Sequence, residues 1–177
     1  MSASIGLMIE KPHPSATREV REVTVLGLGN ILLSDDGVGV HVARRLAMDH
    51  GAVQGLRALD GGTLGFRLVE TLTGSDSVLI VDAALLGEPP GAMRLLGSRE
   101  LHEHVGRGER LSAHEAGLAD LLTMARLEGW EPSNLALLGV QPERIDWGDT
   151  LSEPVARSVP SVCRAVIQTA LSWQAAP

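Results

Sequence analysis

The sequence predicts an α/β fold: a single-domain, mainly parallel twisted sheet of about five strands with helices on both faces. Two observations carry that prediction. Short apolar, β-branched runs alternate along the chain with stretches whose apolar residues recur at helical spacing, the pattern of βαβ units. The 177 residues are 44% apolar but hold only three Trp and one Phe, so one aliphatic core of Leu, Val, Ile and Ala is both possible and required.

The elements follow in order. Residues 1–21 show no period and contain two prolines, so they read as a flexible extension ahead of a domain spanning 22–174. Val23 to Leu28 is a β-branched run ending in a Gly-rich loop, hence a buried strand. Val38, Val42, Ala43 and Leu46 fall on one helical face, with Arg44 and Arg45 on the polar side. Leu56 to Leu59 is a second strand, cut off by Asp60-Gly61-Gly62-Thr63, and Leu64, Leu68 and Leu72 mark a second helix. Val78 to Val81 is the clearest strand, with Asp82 at its carboxyl end. Ala92 to Leu96 is a fourth strand at an edge, and the polar stretch 97–111 fits no element. Leu118, Leu121, Leu122 and Ala125 define a helix, and Leu135 to Val140 a fifth strand. The chain closes with an amphipathic segment from Ser152 to Trp173, which Pro160 is expected to kink or restart.

Composition excludes several classes. With 15 Lys+Arg against 22 Asp+Glu, a formal charge of −7 lacks the basic face that phosphates demand, so no nucleic-acid partner is expected. The single cysteine, Cys163, rules out an internal disulfide and any Cys-rich metal site, and its apolar neighbours make it small core filler. No window approaches the roughly 18 apolar residues of a membrane span. No charged segment leads into an apolar block at the N-terminus, so a cytoplasmic protein is expected.

Ligands of such sheets collect outside the carboxyl ends of the strands. On that rim the sequence places Asp35 and Asp36 in the first loop, Asp60 after the second strand, Asp82 at the end of the third and His114 at the start of a later helix. Three strand-end or loop carboxylate positions and an imidazole make a divalent metal site. Each residue also has a plainer role. One of Asp35 and Asp36 suits the N-cap of the first helix, and Asp60 before Gly-Gly-Thr suits an Asx-turn. Asp82 ends an apolar strand with no cap pattern after it, where a carboxylate needs a cation or donors. Ser112-Ala113-His114-Glu115 fits a capping box, which occupies Glu115 and sets His114 in a first turn that disfavours imidazolium. Neutral imidazole is the metal-binding form. Oxygen and nitrogen ligands of this kind suit zinc, nickel, iron or manganese alike.

Other chemistries are absent. Gly27-Leu28-Gly29 lacks the third glycine of a dinucleotide fingerprint, because Leu32 stands in its place, so no organic cofactor is expected. Neither a phosphate-binding loop of the Walker type nor a G-x-S-x-G elbow occurs.

The motifs resemble those of the maturation endopeptidases of nickel–iron hydrogenases. The resemblance runs from about Val23 to Trp173. It rests on G-L-G-N-I-L-L-S-D-D-G-V-G (27–39), D-G-G-T (60–63), V-D-A (81–83) and S-x-H-E-x-G-L-x-D (112–120), with L-L-G-V-Q-P (137–142) and L-S-x-P-V (151–155). It implies an enzyme that removes a short C-terminal peptide from the hydrogenase large-subunit precursor after nickel insertion. The family's metal-contacting residues map onto Asp36, Asp82 and His114; the first is often Glu in relatives, so Asp36 is a shorter variant. Asp60, Gly61, Gly62 and Thr63 would lie beside the site and help read the substrate. Nickel is then carried by the substrate and bound transiently, and the partner is the large-subunit precursor. Two alternatives remain at this stage: a non-catalytic nickel-binding inspection protein or chaperone for the precursor, and a peptidyl-tRNA hydrolase-like esterase, whose chain also opens with a strand and G-L-G-N.

Overall fold

The structure is a computed structural model that describes residues 20–49, 53–63, 67–107 and 115–176; the N-terminal extension expected at 1–21 falls almost wholly outside them. Five strands form one sheet in the order β2-β1-β3-β5-β4: β1 (Val23–Leu28), β2 (Leu56–Gly62), β3 (Ser77–Ala83), β4 (Met93–Gly97) and β5 (Asn134–Val140). All pairings are parallel except that of β4 with β5, so β4 is an antiparallel edge. Helices α1 (Val38–Met48), α2 (Arg67–Thr73), α3 (Ser98–Arg107), α4 (Glu115–Leu127) and α5 (Glu153–Ala175) cover both faces.

The central strands are buried along their whole length, and their side chains alternate between two cores. Val25, Leu79, Val81, Ala136 and Leu138 point to one face, against Val42 and Leu46 of α1 and Val155, Val162 and Val166 of α5. Leu26, Val78, Ile80, Leu135 and Leu137 point to the other, against Leu72 of α2, Leu101 of α3 and Leu118, Leu122 and Ala125 of α4. Cys163 is buried in the first core, where burial pushes its thiol up from the usual range, as suits core filler and not a nucleophile. Among the described residues no helix is long and apolar enough to cross a membrane.

Three elements differ from expectation. β2 runs on through Asp60, Gly61 and Gly62, because pairing of Gly27 with Asp60 and Leu28 with Gly62, across a register shift, outweighs the poor strand propensity of glycine. The unassigned polar stretch contains α3, which local contacts hold: Glu100 Oε2 accepts from Gly97 N at 3.1 Å, Arg99 pairs with Glu103 at 3.3 Å, and Leu101 is buried. Pro160 lies inside an unbroken α5, since Val155, Val159, Val162, Val166 and Ala170 keep one buried stripe on both sides of it.

Helix α1 rests directly on the sheet. A Cβ on Gly39 would collide with the carbonyl oxygens of Val81 and Leu28, and one on Gly27 with the carbonyl oxygen of Gly39. Close helix–strand contact therefore comes from Gly27 and Gly39, although the dinucleotide pattern is missing. Gly39→Ala is expected to lower stability by about 3 kcal/mol, because the obstacles are backbone. A urea midpoint equal to that of the parent would show that α1 does not need this approach.

Candidate active site

The chain leaves β1 toward β2 on one side and β3 lies on the other, so the carboxyl ends of β1 and β3 flank the point where strand order reverses. The loop after β1 crosses this point. Gly29 enters it at φ 136°, a backbone conformation that favours glycine. Asn30 then folds the loop: its Oδ1 accepts from Leu32 N at 3.0 Å and its carbonyl from Leu33 N at 3.0 Å. A 3-10 turn, Ser34–Gly37, leads into α1 and packs against β3.

Asp36 lies in that turn, fully buried, and its Oδ2 accepts from Asn30 N at 2.8 Å. Asp82 is likewise fully buried near the end of β3, and its Oδ1 accepts from Ala83 N at 2.8 Å. The structure thus brings two of the three expected metal-contacting residues to one rim, Asp36 from the turn that follows β1 and Asp82 from β3. The third, His114, lies outside the described residues, as does most of the capping box that was expected to hold it. Among the described residues no group of three His, Cys, Asp or Glu forms a metal-holding cluster.

Neither Asp35 nor Asp36 caps α1 as expected; its N-cap is Gly37, with no side-chain cap. The 3-10 turn displaces both side chains from the capping position. Asp35 instead reaches across the fold. Its Oδ2 accepts from Glu143 N at 2.9 Å, Arg144 N at 3.2 Å and Ser152 Oγ at 2.7 Å, and its Oδ1 from Ser152 N at 2.6 Å. One buried carboxylate thereby joins the first loop to the segment 143–152 and the start of α5. Sequence reasoning missed this role, although the S-D-D and L-S-x-P segments that it joins are both motifs of the resemblance.

Asp60 does make the Asx-turn, accepting from Gly62 N at 3.0 Å through Oδ1, while Oδ2 pairs with Arg44 at 2.8 Å. The pair is half exposed, so it adds little to stability. It stands at a cleft of about 180 Å³ lined by Gly29, Asn30, Val40, Arg44, Asp60 and Thr63, among others. The D-G-G-T segment is therefore adjacent to the loop that carries Asp36. On α1, partial burial and then the Arg44 guanidinium hold the His41 imidazole below its ordinary value.

Comparison with known proteins gives the family and the fold. The family model described as hydrogenase maturation protease matches residues 40–169. The chain is 34% identical over 147 residues to the hydrogenase expression/formation protein HoxM of Azotobacter vinelandii, covering 82% of this chain and 70% of that protein. It is 31% identical over 163 residues to HupD of Rhizobium leguminosarum bv. viciae, covering 92% and 80%. Among solved structures, the hydrogenase maturating endopeptidase HybD of Escherichia coli superposes with a TM-score of 0.75 at 32% identity, over 84% of this chain and 91% of that one. The [NiFe] hydrogenase maturation protease HybD of Thermococcus kodakarensis gives 0.71 at 32% identity, over 84% and 99%. With that membership the esterase alternative falls away: the chain belongs to the hydrogenase maturation proteases, and it is a hydrolase of the endopeptidase class.

Proposed function

We propose that this endopeptidase acts in the cytoplasm on the large-subunit precursor of a nickel–iron hydrogenase and removes its C-terminal peptide once nickel has been inserted. The observation that carries this reading is the placement of two fully buried carboxylates, Asp36 and Asp82, on the rim where strand order reverses. Such groups are poorly placed for anything but a cation or a dedicated set of donors.

In this reading the nickel belongs to the substrate, and Asp36, Asp82 and His114 contact it while the precursor is bound. Two carboxylates and one imidazole, with no thiolate, make a weak and exchangeable ligand set. Such a set can test for nickel in the precursor without retaining a metal of its own. Contact with the metal aligns the scissile peptide bond beside the rim. A water oxygen then adds to the peptide carbonyl carbon, the C–N bond breaks, and the departing amine takes up a proton from that water. Asp60, Gly61, Gly62 and Thr63, beside the cleft at the loop of Asp36, contact the polypeptide next to the cut.

Intact masses of nickel-loaded and nickel-free precursor, each incubated with this protein, test the reading. One C-terminal truncation confined to the loaded sample is expected. Equal truncation of both samples would remove the nickel gate. Stable binding without any mass change would leave an inspection protein in place of the protease.

A further inference from the structure

An endopeptidase must hold the polypeptide on both sides of the bond it cuts, and the rim carries an apolar ledge that the preceding reading leaves unused. Trp147 is 84% exposed, Ile145 two residues before it in the chain is 43% exposed, and Leu32 on the loop after β1 is 54% exposed. Of the three tryptophans, Trp130 is buried and donates its indole N–H to Ser75 O, whereas Trp147 is turned to solvent. Scattered exposed apolar residues need no explanation, but an exposed tryptophan whose segment is paired with the loop that carries Asp36 does.

The ledge is continuous with the loop that carries Asp36, and it is rigid. Leu33 pairs with Gly148 as in a parallel sheet, which sets Leu32 beside Trp147. Gly148 N donates to Leu32 O at 3.0 Å, and Ser34 N to Gly148 O at 2.8 Å. Ser34 Oγ donates to the Asp146 carbonyl at 3.1 Å and its Oδ1 at 2.9 Å, and Ser34 adopts φ 51°, a strained value for a residue with a Cβ. A Cβ on Gly148 would meet Ser34 Oγ at 2.7 Å and displace the hydroxyl that holds Asp146. Asp35 fixes the other end of the segment through Glu143 N and Arg144 N. The main chain that carries Trp147 is already held, so docking a partner against it orders little further backbone.

We infer that Trp147, with Leu32, is a substrate-binding residue: it receives an apolar side chain of the extended precursor segment that flanks the scissile bond. The inference rests on Asp36 and Asp82 marking the place of cleavage. It differs from the D-G-G-T contact, which lies along β2 and pairs with Gly27 to Gly29 and not with the 146–148 segment.

Steady-state cleavage of nickel-loaded precursor tests it. Trp147→Ala is expected to raise KM about tenfold or more with kcat within about twofold, Leu32→Ala to do so more weakly, and Trp147→Phe to restore part of the loss. Leu127→Ala, an 83% exposed residue at the end of α4, serves as the control and is expected to change neither constant. An unchanged KM for Trp147→Ala overturns the inference. If the unaltered protein cuts no precursor, the cleavage reading fails separately, and calorimetry with the same precursor decides the ledge. Binding about tenfold weaker for Trp147→Ala supports it, whereas equal affinity, or no binding by either protein, overturns it.

Discussion

Asp82→Asn protein is expected to cut nickel-loaded precursor at least about 100-fold more slowly than its parent while melting at the same temperature or higher. The two halves of this expectation have one cause. Asp82 is fully buried between Val81 and Ala83 on a strand that is itself covered on both faces. Holding a carboxylate there opposes folding, because the charge has left water. Asparagine has the same shape and retains an oxygen to accept from Ala83 N, so the strand is not disturbed. The negative charge that attracts a cation is lost while this acceptor is kept. Asp36→Asn should behave alike, since an amide oxygen can still accept from Asn30 N. His114→Ala should remove the third contact. Single-turnover cleavage followed by mass, with a thermal melt of each variant, checks the set. Full activity in Asp36→Asn and Asp82→Asn would remove the proposed nickel contacts, whatever the melts show.

The parts of this site that the sequence discloses are those fixed by local pattern. Val23 to Leu28 and Val78 to Val81 are apolar runs with few alternatives, and their strand character places Asp36 after one and Asp82 at the end of the other. The βαβ alternation puts both carboxyl ends on one rim of a parallel sheet, whereas the direct adjacency of β1 and β3 comes from the strand order β2-β1-β3, which the alternation does not give. What the sequence conceals is fixed by tertiary contacts. The partners of Asp35 lie 108 to 117 residues away, and nothing near Asp35 announces them. The strand character of Asp60 to Gly62 is imposed by β1 against local propensity. Helix α3 has only Leu101 and Val105 as large apolar residues among many polar ones, too sparse a stripe to stand out in the sequence, and Leu101 is buried. Pro160 suggests a kink or restart, yet α5 does not restart there, because the stripe packed on the sheet outweighs one missing hydrogen bond.

Asp35→Ala, one residue before a proposed nickel contact, is expected to have the opposite signature: a loss of stability of about 3 kcal/mol or more, with activity falling as a consequence. The carboxylate accepts from Glu143 N, Arg144 N, Ser152 N and Ser152 Oγ, all to a fully buried residue. Removing it leaves backbone N–H groups without acceptors, and each such group retains its full desolvation cost. Asparagine does not rescue this position as it does Asp82. Both oxygens of Asp35 accept from backbone N–H, so either orientation of an amide sets its NH2 against a donor. The segment 143–148 would come loose with it, and so would Leu32 and Ser34, which are bonded to Gly148. Urea midpoints for Asp35→Asn and Asp82→Asn therefore form a direct contrast between two buried aspartates given the same substitution. If Asp35→Asn unfolds at the parent midpoint, Asp35 does not brace the rim, and the rigidity of the Trp147 segment has another source. If it unfolds early while Asp82→Asn does not, burial alone does not explain either residue, and the division between a carboxylate that holds the loop and carboxylates that meet the metal stands on stability data independent of cleavage.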